Sequence, residues 1–182
     1  MNVFIFGGSF NPPHVAHVLA VAYVLATHDV DRVLVVPCFE HPFAKELAPF
    51  ERRFEMCQLA MGFLPRTTIS RVEQELGGES RTLRTVEHLQ RLHPDWRLRL
   101  VVGADILLEG RRWHGFDRLN ELAPMLVLGR AGLRAEGAPR PLLPEVSSSA
   151  IRQAIHAGRP SEVAALVPRE VLAYIERHGV YR

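Results

Sequence analysis

The chain has 182 residues, enough for one domain with a full core. Hydrophobic residues make up 47% and charged residues 23%, and the net charge of +2 gives composition no case for a nucleic-acid or membrane partner. Two cysteines, Cys38 and Cys57, stand in no C-x-x-C or Cys/His metal spacing, so a reduced, cytoplasmic setting is expected.

In chain order, Asn2–Phe6, with Val3, Phe4, Ile5 and Phe6 in unbroken succession, reads as a buried strand. It is too short to span a bilayer. It lacks a basic n-region and leads straight into glycines and prolines, unlike a signal peptide. Val15–Ala26 reads as a helix. Leu34–Val36 is a short strand closed by Pro37, and Phe50–Phe63 has helical spacing. Thr67–Val72 is β-branched and reads as a strand, and Gly77-Gly78 breaks the chain. Thr82–Leu92 is a helix stopped by Pro94. Arg97–Val102 and Met125–Leu128 are strands ending in glycine. Ala131–Pro144, rich in Gly and Pro, reads as an exposed connection. Ser148–His156 is a helix with serines at its start, and Pro168–His178 is a last helix with Gly179 just past its end. Strands with short continuous apolar runs alternate with helices. That predicts an α/β fold, a mostly parallel sheet with helices on both faces, as one domain over residues 1–182.

The first strand runs into Gly7-Gly8-Ser9, and a helix follows. Glycines let backbone N–H groups approach an anion, and the helix N-terminus adds partial positive charge. Alone this is a weak signal, since many such turns only connect elements. His14 and His17, three apart at a helix start, share one face. They can be a structural pair, a metal pair or a phosphate-binding pair. The metal reading lacks a third ligand and an H-E-x-x-H carboxylate. Near the other end, Ser147, Ser148 and Ser149 place hydroxyls and N–H groups at a helix start, with Arg152 one turn in. That is either a second anion cradle or an ordinary serine cap with a surface arginine.

GGSFNPPHVAH resembles the G-G-T/S-F-D/N-P-x-H-x-G-H signature of the HxGH nucleotidyltransferases, with Ala16 for the glycine between the histidines. VSSSAIRQAI resembles the I/V-S-S-T-x-I-R motif of their adenylyltransferase branch. Four further segments resemble the bacterial nicotinate-nucleotide adenylyltransferases: ERRFEMCQLA, GADILLEGRRWHGFDRLNEL, LVLGRAG and GRPSEVAALVPREVLAYIERHGVYR. The likeness runs from Val3 to Tyr181. It departs at Arg81 and Arg84, where the family commonly has tyrosine and aspartate. It also departs at Glu40–Lys45, where Lys45, the one lysine of the chain, is the counterpart of the lysine in a P-P-H-K segment.

The resemblance implies a Rossmann-like doubly wound sheet and adenylyl transfer from ATP to nicotinate mononucleotide, giving deamido-NAD and pyrophosphate in NAD biosynthesis. It assigns catalysis to His14, His17 and Arg152. ATP would meet Gly7, Gly8, Ser9, Phe10, His14, His17, Gly103, Asp105, Ser148, Ser149, Ile151 and Arg152. The mononucleotide would meet Lys45, Thr82, Asp105, Trp113 and His114. Asp105 is otherwise a helix cap, and Trp113 otherwise a core filler. Mg²⁺ would ride on the triphosphate, with no metal site of the protein's own. A homo-oligomer is left open. The rival readings are a sibling enzyme using nicotinamide mononucleotide or phosphopantetheine, an idle nucleotide-binding domain, and a metal-dependent hydrolase. One geometric expectation underlies the assignment: the early and late anion corners converge on one triphosphate.

Overall fold

The computed structural model describes residues 1–41, 47–109, 113–132 and 137–182. Its strands are β1 (Asn2–Gly8), β2 (Arg32–Pro37), β3 (Thr67–Ile69), β4 (Arg97–Gly103), β5 (Met125–Arg130) and β6 (Pro141–Leu143). They form one sheet in the order β3-β2-β1-β4-β5-β6, and every pairing among the described residues is parallel. That is the strand order of a doubly wound Rossmann-type sheet.

The unbroken apolar strands follow from burial on both faces. Successive side chains of a strand point to opposite faces. Phe4 and Phe6 of β1 therefore join Val33, Val35, Val101 and Leu128 in one core. Val3 and Ile5 join Leu34, Val36, Leu98, Leu100 and Val102 in the other. The first core is covered by α1 (Val15–Thr27), α2 (Phe50–Met61), α7 (Ser148–His156) and α8 (Arg169–His178). The second is covered by α3 (Val72–Leu76), α4 (Thr82–Leu92), α5 (Ile106–Glu109) and α6 (Phe116–Leu122).

The chain leaves β1 for one face and, after crossing from β3 to β4, leaves β4 for the other. The helices thus diverge between the carboxyl ends of β1 and β4, the switch point at which sheets of this kind bind ligands in a crevice. Gly7-Gly8 ends β1 on one side of it, and Gly103 ends β4 on the other.

Three expectations need correction. Thr67–Val72 is a strand only to Ile69, and Val72 opens α3, burying its side chain in the second core. The expected connection Ala131–Pro144 contains β6, an edge strand whose Pro141 is tolerated because it lies at the sheet's rim. Phe50–Phe63 stops at Met61, since Gly62 caps it. The helices α5 and α6 and a 3₁₀ turn over Pro160–Val163 carried too little periodicity to be read beforehand.

Candidate active site

The turn after β1 is built around Phe10. Its side chain is 1% exposed and its φ is 45°, a left-handed conformation that a non-glycine residue holds only under constraint. The ring lies against Gly8, where an added Cβ would come within 3.1 Å of it. A methyl at position 8 would press on that ring, which would have to give by a few tenths of an ångström. At Gly7 a Cβ would meet nothing within 4 Å, so the strand end opens onto free space.

His14 caps α1 in an extended conformation, and His17 lies three residues on. Their rings stack at 3.7 Å between centroids and 21° between planes. The His17 ring also meets Phe10 edge-on at 4.9 Å. The backbone N–H of His14 donates to His17 Nδ1 at 3.1 Å. An Nδ1 that accepts puts the proton of the neutral ring on Nε2, so His17 offers an Nε2–H donor. Nδ1 of His14 is buried and has no partner among the described residues, an orphan polar group of the kind that clusters at functional sites.

Both imidazoles are kept neutral. Burial, then the charge of Arg130, pulls His14 down to about 4. Burial, then His14 and Arg130, pulls His17 well below the ordinary value. The unfolded chain takes up these protons near pH 6.5, and the folded one resists until lower pH. Stability from the pair is therefore complete above about pH 6.5 and falls as pH drops toward about 4. Each proton steepens that fall by up to about 1.4 kcal/mol per pH unit. Denaturant melts between pH 7.5 and 4.5 should show this loss, and a His14→Gln/His17→Gln protein should show less of it. Glu51, lowered to about 2 by Arg71, loses its contribution as pH falls below its unfolded value of 4.5, so most of its effect lies under the range of these melts.

Arg130, at the end of β5, carries no role in the sequence reading. It pairs with Asp105 at 3.7 Å and donates to the Val146 carbonyl, directly before the Ser147 cap of α7. One guanidinium thus connects the imidazoles electrostatically, the end of β4 and the start of α7. The LVLGRAG resemblance contains it without giving it a role. Gly103 is close-packed, since a Cβ there would come within 3.1 Å of the Asp105 carboxylate.

The late corner folds onto the early one. Ser148 Oγ donates to the Pro12 carbonyl at 2.9 Å, and Arg152 Nη1 to the Asn11 carbonyl at 2.7 Å. Asn11 is buried, and its Oδ1 accepts from Ala48 N–H at 3.1 Å and Tyr181 O–H at 2.8 Å. A groove of about 1020 Å³ brings Ser9 together with Ser148, Ser149, Arg152 and Tyr181. His14 and His17 are not among its lining residues, so the two corners share the Ser9–Pro13 turn rather than one concave wall. Ile151 is fully buried and its N–H is bonded to the Ser147 carbonyl at 3.1 Å, so its side chain contributes packing.

On the other face, Thr82 opens α4, whose cap residue Arg81 supplies no side-chain bond. Gly115, at φ 66°, approaches Leu83 so closely that a Cβ would come within 2.4 Å of its side chain. That contact sets Trp113 and His114 beside the start of α4. Trp113 is half-buried against the second core, and His114 is exposed. Lys45 lies outside the described residues.

A family profile described as cytidylyltransferase-like matches residues 5–154. A protein of Anaeromyxobacter dehalogenans (strain 2CP-C), named "Probable nicotinate-nucleotide adenylyltransferase", is 48% identical over all of this chain and 97% of its own length. One of the same name from Thermus thermophilus is 38% identical over the full length of both. The chain belongs to the nicotinate-nucleotide adenylyltransferase family. Among solved structures, the nicotinic acid mononucleotide adenylyltransferase of Plasmodium falciparum complexed with NaAD superposes with a TM-score of 0.84 at 18% identity. It covers 99% of this chain and 97% of its own, a likeness of fold.

Against that family pattern, the departures find partners within their own segment. Arg81 pairs with Glu79 through Nε at 2.8 Å and Nη2 at 2.6 Å. Arg84 donates to the Gly77 and Leu76 carbonyls at 2.6 and 2.7 Å, capping the end of α3. Ala16, at the glycine position between the histidines, is buried in the first core, where a methyl is accommodated.

Proposed function

We propose that this nicotinate-nucleotide adenylyltransferase joins ATP to nicotinate mononucleotide across the crevice between β1 and β4. A phosphate oxygen of the mononucleotide attacks the α-phosphorus of ATP. The new P–O bond forms as the bond to the β-phosphate oxygen breaks, and pyrophosphate leaves with the electron pair. The attacking oxygen is already ionised at neutral pH, so no protein base is needed. The work is positioning and charge stabilisation. Full-length identity to relatives of that name is the observation that carries the reading.

The residue roles are ours. Backbone N–H groups of Gly7, Gly8, Ser9 and Phe10 meet the phosphates. His17 Nε2–H and His14 donate to them. Ser148, Ser149 and Arg152 take the β- and γ-phosphates, and Arg130 adds positive charge behind the imidazoles. Gly103 and Asp105 border the nucleotide from β4, with Asp105 on a ribose hydroxyl. Ile151 backs this corner from the core. Lys45 neutralises a phosphate. Thr82 and His114 N–H groups receive the nicotinate carboxylate, and Trp113 stacks on its ring.

Mg²⁺ arrives on the triphosphate. The corner's guanidinium, hydroxyls and backbone N–H groups suit phosphate oxygens. Among the described residues, no three His, Cys, Asp or Glu side chains gather as a metal site. We read the chain as one cytoplasmic domain acting on small molecules. Among the described residues no helix is long and apolar enough to cross a membrane.

Pyrophosphate release, assayed with nicotinate mononucleotide, nicotinamide mononucleotide and phosphopantetheine, with and without chelator, tests the reaction. Release that requires the nicotinate acceptor supports it, and acceptor-independent ATP hydrolysis overturns it. Replacing Trp113 with alanine should raise KM for the mononucleotide by ~10-fold or more and leave KM for ATP nearly unchanged. Loss of ring stacking of about 0.5–1.5 kcal/mol, with the buried area, accounts for that size. An unchanged mononucleotide KM would remove Trp113 from the pocket.

A further inference from the structure

Arg53 is the largest fully buried side chain in the described protein, 1% exposed on α2. Four backbone carbonyls take its guanidinium. Nε donates to Ala48 O at 2.8 Å, Nη1 to Ser9 O at 3.0 Å and Cys38 O at 2.6 Å, and Nη2 to Phe39 O at 3.3 Å. A planar fork can serve carbonyls in several directions at once, which an ammonium cannot reproduce.

The Cys38–Glu40 segment, just past β2, is held from its other side as well. Phe39 N–H donates to Ser80 Oγ at 2.8 Å and to Glu73 Oε2 at 3.2 Å. Glu40 N–H donates to the same Ser80 Oγ at 3.2 Å. Ser80 N–H donates to Glu40 O, and Cys38 N–H to Gly8 O, both at 2.9 Å. Every backbone donor and acceptor of these three residues is therefore satisfied, in a stretch that is neither helix nor strand. Thr85 of α4 donates to Glu73 Oε1 at 3.2 Å, tying the clamp to the helix that Thr82 opens.

Irregular backbone held this completely is preorganised, and preorganisation lowers the entropic cost of binding. We propose that Arg53 and Ser80 are positioning residues: they hold Cys38–Glu40 as a fixed wall of the acceptor pocket, and Arg53 also fixes the Ser9 turn on the triphosphate side. This rests on the functional reading above.

The clamp predicts different signatures for its two ends. Ser80→Ala strips the acceptor side only, so KM for nicotinate mononucleotide should rise about tenfold, with kcat and KM for ATP within about threefold. Ser80→Thr, which keeps the hydroxyl, should restore it. Arg53→Lys should raise both KM values about tenfold. In the ligand-free proteins, amide exchange at Phe39 and Glu40 should speed up about tenfold in Ser80→Ala. Unchanged exchange, or faster exchange with an unchanged mononucleotide KM, overturns the proposal. Should Arg53→Lys fail to fold, Ser80→Ala decides alone. Wild-type protein that does not turn over nicotinate mononucleotide would instead remove the functional reading, while the exchange arm still reads the clamp without substrate.

Discussion

A His17→Ala enzyme is expected to lose about 10²–10³-fold in kcat, the usual cost of removing one preorganised donor to transition-state charge. The expectation comes from geometry. The His14 N–H occupies His17 Nδ1, so the ring presents Nε2–H. Stacking on His14 and the edge contact with Phe10 hold that ring in place. Burial and Arg130 keep it neutral, so the donor persists across physiological pH without a counterion. The phosphate oxygens gain charge as the bond to pyrophosphate breaks, and a fixed N–H there needs no reorganisation. The ground-state triphosphate carries less charge at that point, so KM for ATP should move little. Steady-state kinetics at saturating acceptor reads both. Near-normal kcat would dismiss His17 from the reaction.

Replacing Arg152 with alanine should do two things at once. KM for ATP should rise by roughly 10- to 100-fold, the equivalent of a charge-assisted hydrogen bond of about 1.5–3 kcal/mol. KM for the mononucleotide should stay near its starting value. The protein should also lose about 1 kcal/mol of stability, because the Asn11 carbonyl loses its donor. Arg152→Lys should recover part of the ATP affinity through charge, but not the fork that serves Asn11 and Ser149 together. A melt that falls while KM for ATP stays put would confine Arg152 to holding the turn. The groove shared by Ser9, Ser148, Ser149 and Arg152 is why we expect otherwise.

Much of this protein was decided locally and could be read from the chain. Unbroken apolar runs such as Val3–Phe6 need cover on both faces, which with alternating helices leaves a parallel sheet. The helices over Thr82–Leu92 and Ser148–His156 have the predicted bounds, because their starts, stops and spacing are written in adjacent residues. The glycine-histidine and serine-arginine motifs were legible for the same reason: each is a run of neighbours in sequence.

The tertiary structure decided what depends on distant partners. Pro141–Leu143 is a strand only because β5 offers it an edge. Arg130 matters because strand order brings the end of β5 beside Asp105 and Val146. Arg53 stands in the ERRFEMCQLA segment that carries part of the resemblance, with no role assigned to it from sequence. Folding delivers four carbonyls to it, two from the segment just past β2, one from Ala48 before its own helix and one from the first turn. Arg84 stands where the family commonly has aspartate, yet it caps a helix seven residues upstream that periodicity did not reveal. Local pattern specifies which elements form, because propensity and burial act over a few residues. Which polar groups meet in the interior is set by the packing of those elements, since a buried donor takes whatever acceptor the fold brings within reach.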